Sequence, residues 1–419
     1  MLSPMTSPLT SPFSIYVHLP YCAKRCPYCD FNTYVAERIP EERYVASLVR
    51  EAAFAARGPE WTGRRVSTVF FGGGTPSLFA PPSIEVLLRT FDELWGFTDD
   101  PEITLEANPG SLEGGGEAKL RGFREAGINR VSFGAQSFQA RHLATLGRIH
   151  SADETVGAFA AARRAGFENI SCDLIYGIPE QSLADWESDV RLAIGLASEH
   201  VSAYCLTYEK GTPMTGMRNA GMITAADEET ELAMFRLARE RFGDAGLGQY
   251  EISNYARPGR ESRHNLAYWT WRDYLGLGAG AHGFAAGTDD VSAGPRVGDD
   301  RESGAPAADF ESASWGRRYA NRRLPELYMS AKDGAWHASE ESLSREMAIA
   351  EFLMVGLRLS RGIDAAEFEK LFRIPLIDAA PRLDSFVERG LLTRRGHVVT
   401  LTDRGLEIAD SVITTLAAG

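Results

Sequence analysis

From Ile15 to about Gly243, short apolar and β-branched runs alternate with longer stretches whose apolar residues recur at helical spacing. This is the pattern of βα units laid on a parallel sheet. Six units can be counted, with strands expected to start near Ile15, Val66, Ile103, Val131, Ile170 and Val201. All but the first two are short runs flanked by Gly, Pro or Asn, which suits barrel strands. After Ser83 the residues Ile84, Leu87, Leu88, Phe91 and Leu94 share one helical face, expected to cover the sheet. Six parallel units without a clear seventh and eighth predict an α/β fold, an open, partial (β/α)6 barrel with its functional residues at the C-terminal strand ends.

The pattern changes after residue 284. Residues 285–312 are dominated by Ala, Gly, Asp, Ser and Pro, a composition that buries little apolar surface and reads as a flexible insertion. A helical stretch follows around Arg322 to Met329. Residues 345–419 then read as three helices, a short hairpin around Arg394 to His397 and a final helix from Leu406, an order that resembles a winged helix. The expected organisation is a loose tail over 1–13, a barrel over 14–284, the insertion over 285–312, and a helical connector with a winged-helix-like domain over 313–419.

Charge narrows the partners. Across the chain 57 acidic residues outnumber 44 basic ones, for a net charge of -13, so the basic field expected of a nucleic-acid binder is missing. Winged helices often bind DNA, yet residues 345–419 hold 10 Lys and Arg against 11 Asp and Glu, too little positive charge for the phosphate contacts that dominate such binding. A scaffold or lid role is expected instead. The first fourteen residues have neither a basic nor an apolar targeting segment, and no apolar run approaches membrane-spanning length. The expectation is a cytoplasmic protein that is not integral to a membrane.

Three of the five cysteines, Cys22, Cys26 and Cys29, fall within eight residues, a clustering typical of metal sites and unlike a secreted disulfide framework. Cys172 and Cys205 are expected to be buried thiols. On one tight loop after the first strand, three thiolates can hold three irons of a four-iron cluster and leave the fourth iron open. The competing reading is a structural zinc with His18 as fourth ligand, but zinc loops usually come as paired Cys-x2-Cys units with a second half elsewhere. The spacing resembles the radical S-adenosylmethionine (SAM) signature, in which the open iron chelates SAM and the reduced cluster releases a 5'-deoxyadenosyl radical.

Gly72-Gly73-Gly74-Thr75-Pro76 follows the second strand. Its side-chain-free backbone can approach a ligand closely and point amides at it, although alone such a run is usually just a turn. One βα unit after the cysteine loop, Gly73, Gly74 and Thr75 resemble the radical SAM element that holds the methionyl amino group. Tyr28 resembles the aromatic beside the adenine, and Tyr16 on the first strand joins the same expected SAM set. Further motifs follow in strand order: Glu106 in Leu-Glu-Ala-Asn-Pro, Gln136 in Phe-Gly-Ala-Gln-Ser-Phe, Arg148 in Leu-Gly-Arg-Ile-His and Asp173 in Asp-Leu-Ile-Tyr-Gly-Ile-Pro. Glu106 or Asp173 could hold an ammonium or a ribose hydroxyl, and Arg148 a carboxylate; each could equally be a barrel salt bridge.

Their combined order resembles the family of oxygen-independent coproporphyrinogen III dehydrogenases and their HemW relatives, over nearly the whole chain. That resemblance leaves two functions: oxidative decarboxylation of coproporphyrinogen propionates, or binding of finished haem for delivery to acceptor proteins. The dehydrogenases carry a fourth cysteine two residues after the third, where this chain has Asp30-Phe31, and they have a longer N-terminal extension than the fourteen residues before Ile15. His264-Asn-Leu-Ala-Tyr-Trp269 resembles the haem-binding motif of the HemW branch and offers an imidazole to iron, with Tyr268 and Trp269 beside the porphyrin. In isolation the same hexapeptide reads as a turn-capping histidine with aromatic core residues. Gln136, Arg148 and Asp173 match positions that contact a second SAM in the dehydrogenases. The expectation is a haem chaperone with a [4Fe-4S] cluster on Cys22, Cys26 and Cys29, SAM on the open iron, haem as cargo, and partners that include haem-acceptor proteins and an electron donor.

Overall fold

The computed structural model describes residues 11–112, 116–287 and 314–418; most of the expected tail and of the 285–312 insertion lies outside them. β1 (Phe13–Leu19) runs into the cysteine loop, which is flanked by the short parallel pair β2 (Tyr21–Cys22) and β3 (Tyr34–Val35). β4 (Val66–Gly73), β5 (Phe97–Ala107), β6 (Arg130–Gln136), β7 (Ile170–Tyr176) and β8 (His200–Cys205) follow, and the order β1-β4-β5-β6-β7-β8 is parallel throughout. These are the six strands expected from the sequence, in sequence order.

Their side chains alternate with period two. Ile15, Val17, Val69, Phe71, Ile103, Leu105, Val131, Phe133, Leu174 and Val201 are buried in the layer between sheet and helices. Ile84, Leu87, Leu88 and Phe91 of the helix Pro81–Trp95 are buried in the same core, with Leu94 packed against it. The alternate positions face a lumen and are mostly polar: Tyr16, Glu106, Arg130, Ser132, Asp173, His200 and Ser202 line a cavity of about 170 Å³. A closed (β/α)8 barrel ordinarily fills its interior with Val, Ile and Leu; here the lumen keeps room and charge.

The sheet does not stop at six strands. β9 (Gly248–Glu251) and β10 (Asn254–Ala256) extend it antiparallel beyond β8, and β11 (Tyr274–Leu277), β12 (His282–Ala286), β13 (Gly316–Asn321) and β14 (His337–Ser342) extend it beyond β1, giving twelve strands. β12 and β13 pair along their length, so the sheet continues across the expected boundary at 284, and the segment expected as a helical connector carries β13 and β14 on either side of one short helix, Pro325–Met329, which lies within the expected helical stretch. Periodicity could not reveal this, because the partner strands lie on opposite sides of a long polar segment. Glu51, buried on the helix Glu41–Ala55, joins the pieces: it accepts hydrogen bonds from Gly278 N (2.9 Å), Asn321 Nδ2 (2.6 Å) and the Tyr328 hydroxyl (2.5 Å).

The C-terminal unit begins with the helix Arg345–Gly356 and contains β15 (Ile363–Asp364), β16 (Leu392–Arg395) and β17 (Val398–Leu401) in the order β15-β17-β16, with the hairpin where it was expected. Its helices Ala365–Phe372 and Ala409–Ala417 bury Phe368, Phe372, Val412 and Ile413 in a separate core. The unit packs on the barrel through a bridge between Glu251 and Leu359, the rings of Trp271, Phe352 and Phe372, and the surface pairs Arg236–Glu407 (2.7 Å) and Arg239–Asp403 (2.8 Å).

Candidate functional site

The cysteine loop lies at the C-terminal end of β1. Cys22, Cys26 and Cys29 are free, half-buried thiols. Burial pushes Cys22 and Cys29 above the ordinary thiol range, and the charges of neighbouring cysteines in the trio push both the same way. The Thr75 hydroxyl lies 3.6 Å from Cys22 Sγ and Arg148 Nη1 3.8 Å from Cys26 Sγ. Among the described residues no three thiol, imidazole or carboxylate groups are already gathered into a closed metal cage. Three soft donors on one loop beside a guanidinium are still a donor set suited to an iron-sulfur cluster. Next to them a cavity of about 240 Å³ is lined by Cys26, Thr75, Asn108, Ser111 and Arg148 among others.

The glycine run is packed against the end of β1. Gly73 has φ +106, and a Cβ there would sit 2.4 Å from the His18 ring; on Gly74 it would meet Tyr21 O at 2.6 Å. The expectation that these amides point at a ligand needs correction, because the fold already uses them. Gly73 N donates to Glu106 Oε2 (3.2 Å), Gly74 N to Leu19 O (2.9 Å) and Thr75 N to Tyr21 O (2.8 Å). Of this run, Thr75 lines the cavity beside the cysteines.

Glu106 and Asp173 both face the lumen. Burial, followed by the charge of Asp173, pushes Glu106 up to about 8. Burial also raises Asp173, against hydrogen bonds from Ser202 (2.9 Å), Ser132 (3.0 Å) and Ser171 (3.3 Å). Gln136 ends β6 in the left-handed region, φ 67. Arg148 Nη2 donates to Gly134 O at 2.7 Å, so one guanidinium ties β6 to the cysteine loop. Tyr28 packs against an apolar cluster of Leu146, Ile175, Ile178, Leu206 and Met214, a surface suited to an adenine face. Tyr16 lies deeper in the lumen, its hydroxyl 3.0 Å from His18 Nδ1.

His264 is placed elsewhere. It belongs to the short helix Arg263–Trp269, whose N-terminus sits on the N-terminal half of the barrel: Glu102 accepts from Arg263 N (3.1 Å) and His264 N (3.0 Å). The ring is fully buried, stacked on Phe70 at 5.2 Å, with Nδ1 2.7 Å from Thr68 Oγ1 and Nε2 2.8 Å from the Tyr268 hydroxyl. Burial, then Arg130, pushes it down to about 3. The expected axial ligand therefore has both ring nitrogens engaged and faces the lumen at the end away from the cysteines. The rings of Trp269 and Trp271 turn to the C-terminal unit, against Arg358 and Phe352.

Arg130, His200 and the three serines around Asp173 were not singled out by sequence reasoning, although a period-two signal was present: each strand reads apolar outward and polar inward, as in Arg130-Val-Ser-Phe and His200-Val-Ser-Ala. Cys172 is buried as expected, and Cys205 is half-buried beside Glu231.

The fold and the loop together define a radical SAM barrel with a HemN-type C-terminal domain. The radical SAM superfamily profile matches residues 16–193 and the HemN C-terminal domain profile residues 343–408. The chain is 33% identical over 414 residues to the heme chaperone HemW of Escherichia coli K12, covering 97% of this chain and 98% of that one. To the heme chaperone HemW of Bacillus subtilis it is 32% identical over 404 residues, 95% and 97% of the two chains. To the mitochondrial radical S-adenosyl methionine domain-containing protein 1 of Bos taurus it is 34% identical over 414 residues, 96% and 87%. The chain belongs to the HemW family. The coproporphyrinogen III oxidase HemN of E. coli shares the fold, with TM-score 0.76 at 20% identity over 97% of this chain and 90% of that one. A radical SAM domain of this kind works with a [4Fe-4S] cluster and SAM. Among the described residues no helix is long and apolar enough to cross a membrane.

Proposed function

We propose that this chain is a haem chaperone, which binds haem and passes it to haem-requiring acceptor proteins. The observation that carries the reading is near end-to-end similarity to proteins named heme chaperone HemW. Phe31, exposed just past the cysteine loop, supports the same branch, since it stands where the dehydrogenases resembled by the sequence have a further cysteine.

In this reading Cys22, Cys26 and Cys29 ligate the cluster. Gly73, Gly74 and Thr75 receive the methionyl group of SAM, Arg148 its carboxylate and Tyr28 its adenine, while Tyr16, Glu106, Gln136 and Asp173 complete the polar lumen around it. When bound, cluster and SAM supply one-electron chemistry, for which an electron donor is needed; Arg148 offsets negative charge beside Cys26, and the buried lumen keeps Glu106 able to carry a proton near neutral pH. Three unpaired thiols suit a reducing compartment, which favours the cytoplasm. The C-terminal unit acts as a scaffold that covers one end of the barrel.

The test is an anaerobic haem titration of the cluster-reconstituted full chain, followed by absorbance. Saturation near one haem per chain is expected. No binding, together with conversion of coproporphyrinogen III to protoporphyrinogen IX in the presence of SAM and reductant, would replace the chaperone reading with the enzymatic one.

A further inference from the structure

Arg130, the first residue of β6, lines the lumen cavity and is 1% exposed. Buried guanidinium groups are ordinarily paired, because an uncompensated charge away from water is costly. This one forms no hydrogen bond or ion pair among the described residues, and its Nε is buried without a partner. Across the ladder from it, its register partner Thr104 of β5 also buries an unpartnered hydroxyl. Glu106 and Asp173 feel the charge of Arg130, yet neither pairs with it: Glu106 accepts from Gly73 N, and Asp173 from the hydroxyls of Ser132, Ser171 and Ser202. His200 and His264, each held at both ring nitrogens, are pushed down by burial and then by Arg130, so both are neutral at pH 7. Arg130 is therefore the one fixed cation among the described residues that line this cavity.

The cavity sets the size of what Arg130 can meet. Its volume of about 170 Å³ is close to that of an apolar pocket that takes benzene, about 150 Å³. This is room for a carboxylate arm and the ring edge that bears it, and too little for a whole porphyrin. Tyr16, Phe70, Tyr204 and Tyr268 put aromatic surface on the walls, and Tyr204, 42% exposed, opens the lumen to solvent. The cavity shares no lining residue with the one beside the cysteines. Arg148, on the cysteine side, reaches β6 at Gly134, about 13 Å along the strand from Arg130. The carboxylate of a SAM chelated at the cluster therefore belongs to the Arg148 end, and Arg130 is placed to meet a second carboxylate.

We propose that Arg130 binds a carboxylate arm of the cargo inside the lumen, and that in the chaperone reading this arm is a haem propionate entering past Tyr204. A guanidinium suits that role, since its fork matches a carboxylate in bidentate geometry. Glu106, pushed up to about 8, is mostly protonated at neutral pH and does not repel the incoming charge. The proposal rests on the chaperone reading and adds to it the residue that recognises the acid group of the cargo.

The experiment titrates haemin and haemin dimethyl ester, in which both propionates are esterified, into the cluster-reconstituted full chain and into its Arg130→Met and Arg130→Lys variants. SAM binding is measured in parallel by equilibrium dialysis. The parent is expected to bind the diacid about tenfold tighter than the diester, Arg130→Met to bind the two alike, and Arg130→Lys to fall between, since an ammonium keeps the charge and loses the fork. Arg130→Met should fold, because an apolar side chain of similar length replaces a buried, unpaired cation; should denaturant unfolding show otherwise, the ratio in Arg130→Lys decides. A merely structural role would weaken both porphyrins equally and leave their ratio as in the parent, which would overturn the proposal. SAM binding is expected to be unchanged in Arg130→Met; its loss with an unchanged porphyrin ratio would assign the lumen carboxylate to SAM and overturn the propionate. A parent that binds haemin and its diester alike overturns the propionate site and leaves the chaperone reading standing, whereas a parent that binds neither overturns both.

Discussion

The two ends of the barrel are built for opposite purposes. At the C-terminal end, Cys26, Thr75 and Arg148 line an open cavity, with the Thr75 hydroxyl directed at Cys22 and the Arg148 guanidinium at Cys26. At the other end, the helix Arg263–Trp269 inserts His264 between Thr68 and Tyr268 and turns its tryptophan to the C-terminal unit. Both ends carry motifs rich in metal-ligating residue types. What separates them is satisfaction: a side chain whose every polar atom is paired inside the fold is positioned to hold structure, and one left open on a rim is positioned to meet a ligand.

The largest expected effect comes from the open end. Cys26→Ala should abolish the reconstituted iron-sulfur absorbance and leave the unfolding free energy within about 1 kcal/mol of the parent; loss of fold with the cluster ligand would erase the contrast between the ends. The closed end should behave in the reverse way. His264→Ala should lower unfolding stability by about 3–4 kcal/mol, through a cavity beside Phe70 and through unpaired hydroxyls on Thr68 and Tyr268, as read by denaturant unfolding, while iron-sulfur loading of the folded fraction stays as in the parent.

A smaller effect tests the wall between the ends. Burial pushes Glu51 up to about 7 despite its three hydrogen bonds. A carboxyl whose pKa is higher in the folded than in the unfolded chain binds its proton more tightly when folded, so its stabilising contribution is present below about pH 4.5 and is lost as pH rises through about 7. Glu51→Gln should remove up to about 3 kcal/mol of this pH dependence, measured as the difference in unfolding free energy between pH 5 and pH 8. An unchanged slope would mean that Glu51 is ionised and fully compensated by its partners.

Much of this was legible in the chain. Cys22, Cys26 and Cys29 declare themselves by spacing, because ligands on one loop must be close in sequence, and six parallel strands follow from short β-branched runs separated by amphipathic helices. The order of helices and hairpin in residues 345–419 was readable for the same reason: each element is local. The strand pairs β1-β11 and β12-β13 were not readable, since pairing register is a property of two distant segments. The polar lumen was half-visible as a period-two alternation in each strand, but its meaning needed six strands facing one another.

What the sequence alone determined, then, is the inventory: a radical SAM loop, a glycine turn, carboxylates and an arginine at strand ends, and a histidine-aromatic hexapeptide. Only the tertiary structure decided which of these groups remain free to act. The amides of Gly73, Gly74 and Thr75 are spent on Glu106, Leu19 of β1 and Tyr21 of β2, and His264 is sealed between two hydroxyls, whereas Cys26 keeps a free thiol on an open cavity. The physical reason is that residue type sets what a group could bind, while whether it is already bound depends on partners that the fold brings from tens to hundreds of residues away.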